Sequence, residues 1–166
     1  MAKIYEGRFA GKLEGDYVVF LIGMRINKLL AINKWMPVSQ AMPRMLKELM
    51  QQPELGLLHA EFFLSWPGVM IAQYWRSHDH LQAYAHARDK QHLPAWAAFN
   101  RVARDNAAVG IFHETYLVTA GSYETVYVNM PRFGLARAGE MVPAVGAMAT
   151  AAARLQREPQ PGHGNS

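Results

Sequence analysis

The sequence predicts an α+β protein built on a ferredoxin-like antiparallel sheet with helices on one face. Three observations carry that expectation. Extended runs occupy residues 17–27, 57–65, 69–76 and 108–118, the third of them rich in β-branched and aromatic residues. Stretches with apolar residues at helical spacing lie between the first and second runs and between the third and fourth. The middle two runs are joined only by Trp66-Pro67-Gly68, which is turn punctuation. The order is therefore strand-helix-strand twice over, and two such units make a four-stranded sheet.

Taken in order, residues 1–16 are polar and glycine-punctuated, with a short strand expected at 4–9. In the strand at 17–27 the even positions Val18, Phe20, Ile22, Met24 and Ile26 are all apolar. The odd positions end in Arg25 and Asn27. Residues 33–37 read as a connection to a helix ending near Gln52, with Val38, Met42, Met45, Leu46, Leu49 and Met50 on one face. Pro43 is expected to start or bend that helix.

Split by parity, the next two runs carry Leu58, Ala60, Phe62 and Leu64 on one face, continued by Met70, Ala72 and Tyr74. The opposite face carries Leu57, His59, Glu61, Phe63 and Ser65, then Val69, Ile71, Gln73 and Trp75. Ser77 suits an N-cap for a helix burying Leu81, Tyr84 and Ala85. Pro94 is placed to open another helix, with Trp96, Phe99, Val102 and Ala103 on its buried side. In the fourth strand Val109, Ile111, His113 and Thr115 share a face against Gly110, Phe112, Glu114 and Tyr116; a one-residue slip would exchange His113 for Glu114. An added strand at 122–129 and a C-terminal helix at 138–156 follow, the latter despite Pro143. Residues 1–157 are expected to form a single domain, and 158–166 a disordered tail.

The uniformly apolar parity places Val18, Phe20, Ile22, Met24, Leu58, Phe62 and Met70 beneath the helices as core. The mixed parity, rich in Val19, Leu21, Phe63, Val69 and Ile71, is too apolar to face water. Two such sheets packed face to face make a homodimer, a dimeric α+β barrel enclosing a cavity. The polar residues of that face, Arg25, His59, Glu61, Gln73 and His113, are the candidate catalytic set. A histidine near a carboxylate moves protons, and arginine or glutamine holds an oxyanion. The alternative is a buried Arg25–Glu61 pair with histidines hydrogen-bonded in a dimer seam, which for any one residue is at least as plausible.

Composition narrows the choice. A hydrophobic fraction of 51% and a charged fraction of 18% mark a globular chain. With no cysteine, thiolate metal sites and cysteine nucleophiles are excluded. No apolar run reaches the roughly twenty residues a membrane span needs, and the start carries no signal core, so a cytoplasmic location without membrane contact is expected. The net charge of +4 is scattered, unlike the clustered charge of a nucleic-acid binder. No phosphate loop, dinucleotide fingerprint, Ser-His-Asp signature or His-x-x-x-His spacing is present.

Gly23-Met-Arg-Ile-Asn27, Gln73-Tyr-Trp-Arg-Ser77, His92-Leu-Pro-Ala-Trp96, His113-Glu-Thr-Tyr116 and Tyr127-Val-Asn-Met-Pro131 together resemble a bacterial domain family grouped with the fumagillin-pathway monooxygenase. More distantly the chain is similar to antibiotic-biosynthesis monooxygenases. The resemblance implies a dimeric ferredoxin-like subunit with a cavity between sheet and helices. It also implies oxidation of an apolar or aromatic small molecule without metal or flavin. Related barrels include haem enzymes such as aldoxime dehydratases, so haem on His59 or His113 is one alternative. A non-catalytic ligand-binding module is another. Strand parity gives Asn27, Phe63, Trp75, Tyr127 and Asn129 as candidate substrate contacts, and membership of the quoted motifs supports Asn27, Trp75 and Asn129, as it does Arg25, Gln73 and His113.

Overall fold

The computed structural model describes residues 2–87, 97 and 107–155. The strands are β1 (Tyr5–Lys12), β2 (Tyr17–Ile26), β3 (Leu57–Ser65), β4 (Gly68–Trp75), β5 (Val109–Val118), β6 (Tyr127–Met130) and β7 (Glu140–Pro143); α1 (Ile32–Gln51) and α2 (His78–His86) are the longer helices. Two compact units result: Tyr17–Leu117, and Met1–Asp16 with Val118–Ser166.

In the unit Tyr17–Leu117 the sheet order is β3-β4-β2-β5, the ferredoxin-like arrangement expected from the doubled strand-helix-strand order. Val18, Leu49, Trp75, Leu81 and Tyr84 form the core, with Phe20, Leu55 and Leu57 packed against it. Ser77 caps α2 as expected, its hydroxyl accepting from the His80 amide at 3.3 Å. The helix expected at 94–103 lies outside the described residues.

Two corrections concern this unit. The first is α1, which begins at Ile32 and runs through both Pro37 and Pro43. Each proline removes an amide that would reach the carbonyl four residues back, at Asn33 and Ser39. The continuous apolar face from Val38 to Leu49, with Met45 and Leu49 buried, holds the helix together across those gaps.

The second correction is strand parity. Trp66 and Pro67 alone separate the paired residues Ser65 and Gly68, so β3 residues pair with β4 residues of opposite parity: Leu64 with Val69, Phe62 with Ile71, Ala60 with Gln73. β2 behaves likewise, pairing Val18 with Trp75, Phe20 with Gln73 and Ile22 with Ile71. Paired residues share a face. Val69, Ile71, Gln73 and Trp75 therefore lie on the helix side, while Met70, Ala72 and Tyr74 lie opposite with His59, Glu61 and Phe63. A bulge between Leu57 and His59 also brings Leu57, opposite Trp75, into the core. Phe62 is on the helix side yet 61% exposed, so it is a rim residue and not core.

Gly68 is squeezed between its neighbours: a Cβ there would sit 2.2 Å from the Met24 carbonyl oxygen. Gly23 likewise leaves room for the Phe112 ring, which marks Phe112 as lying opposite the helices and the odd residues of β5 as facing them.

In the other unit β1 is flanked by β6 and β7. The N-terminal strand runs to Lys12, beyond the expected end at residue 9. Residues 122–126 are not strand, because side chains take over the pairing with β1 and its continuation. The Thr125 hydroxyl accepts from the Gly11 amide at 2.7 Å, and the Tyr123 hydroxyl bridges the Leu13 amide and carbonyl at 2.7 and 2.8 Å. The helix expected at 138–156 is replaced by β7, a 3-10 turn at Gly146–Met148 and a single helical turn at Ala151–Arg154. Pro143 ends an edge strand, where its missing amide is tolerated, and Gly146 adopts a positive φ that breaks any helix. Buried Arg154 donates to the Glu124 carboxylate and to the Met148 and Ala149 carbonyls.

Candidate active site

A cavity of about 740 Å³ lies between the sheet and α1, within the unit Tyr17–Leu117. Its floor is the helix-side parity of the sheet: Phe20, Ile22 and Met24 of β2, Val69, Ile71, Gln73 and Trp75 of β4, and Ile111, His113 and Thr115 of β5. Its roof is α1, from Pro37 to Leu49, with Leu81, Gln82 and Tyr84 of α2 closing one side. No Asp, Glu, Lys or Arg is among its described lining residues.

Gln73 is 4% exposed, and its carboxamide oxygen accepts from the Trp75 indole N–H at 2.9 Å. An indole nitrogen only donates, so the orientation of the carboxamide is set by chemistry. Beyond it, the Trp75 ring packs 6.0 Å from the Tyr84 ring. The Tyr84 hydroxyl donates to Glu48 of α1 at 2.9 Å. Burial, and then the neighbouring Glu48 carboxylate, push the Tyr84 phenol well above its usual range. His113 enters the wall from β5, its ring 5.5 Å from that of Phe20.

The candidate catalytic set divides. Gln73 and His113 meet in this cavity, along with Trp75. His59 and Glu61 pair with each other at 2.9 Å on the opposite sheet face, where Arg25 and Phe63 also lie. The convergence of all five polar residues on one face is thus overturned, and the register of the β3–β4 turn is the reason. The slip foreseen for β5 takes the same course: His113 turns to the helix side, while Glu114 goes opposite and accepts from Tyr116. Asn27 lies beyond β2, its amide donating to the Ala108 carbonyl at 2.8 Å. Tyr127 and Asn129 belong to the other unit, where Asn129 has a positive φ and accepts from the Gly7 amide at 2.9 Å. Sequence reasoning missed Ser39, Gln82 and Thr115 as lining residues. The apolar spacing of α1 signalled a buried face but not a space beneath it.

No group of three or more His, Asp or Glu residues suited to a metal occurs among the described residues. No described helix is long and apolar enough to cross a membrane.

A family model described as Monooxygenase af470-like matches residues 17–135. Monooxygenase af470 of Aspergillus fumigatus is 29% identical over 141 residues, covering 75% of this chain and 46% of that protein. The chain thus spans about half the length of that relative. Among solved structures, an aldoxime dehydratase in complex with butyraldoxime aligns with a TM-score of 0.60 at 16% identity, covering 84% of this chain and 42% of that one. A second aldoxime dehydratase aligns with a TM-score of 0.58 at 18% identity, covering 84% and 43%. These alignments show a shared fold.

Proposed function

The chain belongs to the Monooxygenase af470-like family, and on that premise we propose that the cavity beneath α1 is the active site of a small monooxygenase-like enzyme acting on an apolar or aromatic molecule. The observation that carries the reading is a largely apolar space, without Asp, Glu, Lys or Arg among its described lining residues, whose wall includes the His113 imidazole and the buried Gln73 carboxamide. An apolar lining of this kind strengthens the hydrogen bonds made inside it.

In this reading His113 takes a proton from an activated C–H of the substrate, and Gln73 donates to the oxygen on which negative charge develops. The resulting electron-rich anion reduces dioxygen directly. A methylene and dioxygen become a carbonyl and water, so no external reductant is required. His59 and Glu61, paired on the other face, have no part in the step.

Haem is tested by the donor set. The described lining offers one histidine, His113, and no lysine or arginine to pair with two propionates. The site suits a neutral ligand better than haem. Titrating purified protein with hemin and following the Soret band checks this.

The test of the main reading is dioxygen uptake with a panel of enolisable aromatic ketones and hydroquinones. His113→Ala is expected to lower uptake at least a hundredfold. Absence of uptake with every compound, despite binding, would favour a non-catalytic ligand-binding module. The sheet face opposite the helices is proposed to pack on a second copy of the chain, since Phe112 and Tyr116 there are 43% and 50% exposed.

A further inference from the structure

The carboxamide of Gln73 has a donor to spare. Its oxygen is occupied by the Trp75 indole, and among the described residues nothing accepts from its amide nitrogen. The residue is 4% exposed and forms part of the cavity wall, and no fully buried side-chain polar atom among the described residues lacks a partner. The amide nitrogen therefore reaches the cavity space. An amide donor facing an apolar space gains most from a ligand that supplies the acceptor there.

We propose that Gln73 is the specificity-determining donor of the cavity, held by Trp75 so that it selects a neutral ligand bearing a carbonyl-type oxygen acceptor. Three features converge on this. The indole cannot accept, so the carboxamide cannot rotate to offer its oxygen to the ligand without stranding the Trp75 N–H. Trp75 is itself immobilised, 1% exposed within the core and packed beside Tyr84, which is tied to α1 through Glu48. No carboxylate, ammonium or guanidinium group is among the described lining residues, so a ligand ammonium would enter without a counter-charge and a ligand carboxylate would find only the His113 imidazole. Trp75 is thus a positioning residue acting through Gln73. The inference deepens the proposed oxygenase reading and rests on that choice of site, but it concerns recognition and needs no turnover.

The test compares two probes of nearly identical shape, 2-acetylnaphthalene and 2-isopropenylnaphthalene, which differ in presenting a carbonyl oxygen or a methylene at the same point. 2-Naphthoate is the charged control. Dissociation constants are measured by calorimetry on the full chain and on Gln73→Leu and Trp75→Phe. The ketone-to-alkene affinity ratio is expected to fall about tenfold in Gln73→Leu, with alkene binding little changed. In Trp75→Phe the freed carboxamide can turn either way, so the ratio falls severalfold while Gln73 is still present. Naphthoate is expected to bind at least tenfold more weakly than the ketone. An unchanged ratio in Gln73→Leu, failure of both neutral probes to bind the wild type, or naphthoate binding as well as the ketone would each overturn the proposal. Should Trp75→Phe fail to fold, Gln73→Leu alone decides. Because these readouts are equilibrium binding, a shifted ratio without dioxygen uptake leaves the recognition intact and removes only the oxygenase chemistry.

Discussion

Phe20 and Phe62 sit on the same face of the sheet and look equivalent by alternation, yet their surroundings differ. Phe20 packs against the core cluster and beside the His113 ring, whereas Phe62 is 61% exposed at the cavity rim. Replacing Phe20 by alanine is expected to cost about 2–4 kcal/mol, and replacing Phe62 less than about 1 kcal/mol. Chemical denaturation of the two variants, compared side by side, checks the difference. Gly68 is the other residue whose identity is dictated by its neighbours. A methyl group 2.2 Å from the Met24 carbonyl oxygen would push β2 and β4 apart. Gly68→Ala is expected to destabilise the protein by about 2–3 kcal/mol, read as a lowered Tm.

At the scale of elements, α1 is held over the sheet by its apolar face and by a polar tie, the hydrogen bond from Tyr84 of α2 to Glu48. The phenol pKa is raised in the folded chain, by burial first and Glu48 second. A raised acid contributes stability below its unfolded pKa of about 10 and loses it as the pH climbs through the folded value. Wild-type stability is therefore expected to fall above about pH 10. Tyr84→Phe is expected to be about 1–2 kcal/mol less stable at pH 8, with the gap narrowing at pH 11. Urea unfolding at the two pH values distinguishes this from a simple packing loss, which would leave the gap unchanged.

For the whole molecule the question is what covers the sheet face opposite the helices. It carries Val19, Leu21, Phe63, Met70 and Phe112 around the His59–Glu61 pair. A second copy would bury the apolar residues and leave that hydrogen-bonded pair enclosed between two sheets. Sedimentation at micromolar concentration is expected to show a dimer, and Phe112→Lys to shift it toward monomer. A wild-type monomer would remove the proposed interface without touching the cavity beneath α1, whose wall comes from one chain.

Local pattern alone determined much of this protein. Four strands and the capped helix α2 were legible in it, as was the buried face of α1, because alternation and helical spacing are properties of neighbouring residues. Val18, Met24 and Leu49 were readable as core for the same reason. What only the tertiary structure decided is which face each strand shares with the next. A two-residue connection at Trp66-Pro67 sets odd residues of β4 beside even residues of β3, and that one register moved Gln73 and Trp75 under the helices while leaving His59 and Glu61 on the far side. Within a strand, parity groups side chains; between strands, the turn and the hydrogen-bond ladder assign the groups to faces. The C-terminal segment was decided the same way. Its alanine-rich composition favours a helix, but the edge of β1 offered backbone partners from Phe9 to Lys12, and pairing with them outweighed a local propensity already weakened by Pro143 and Gly146.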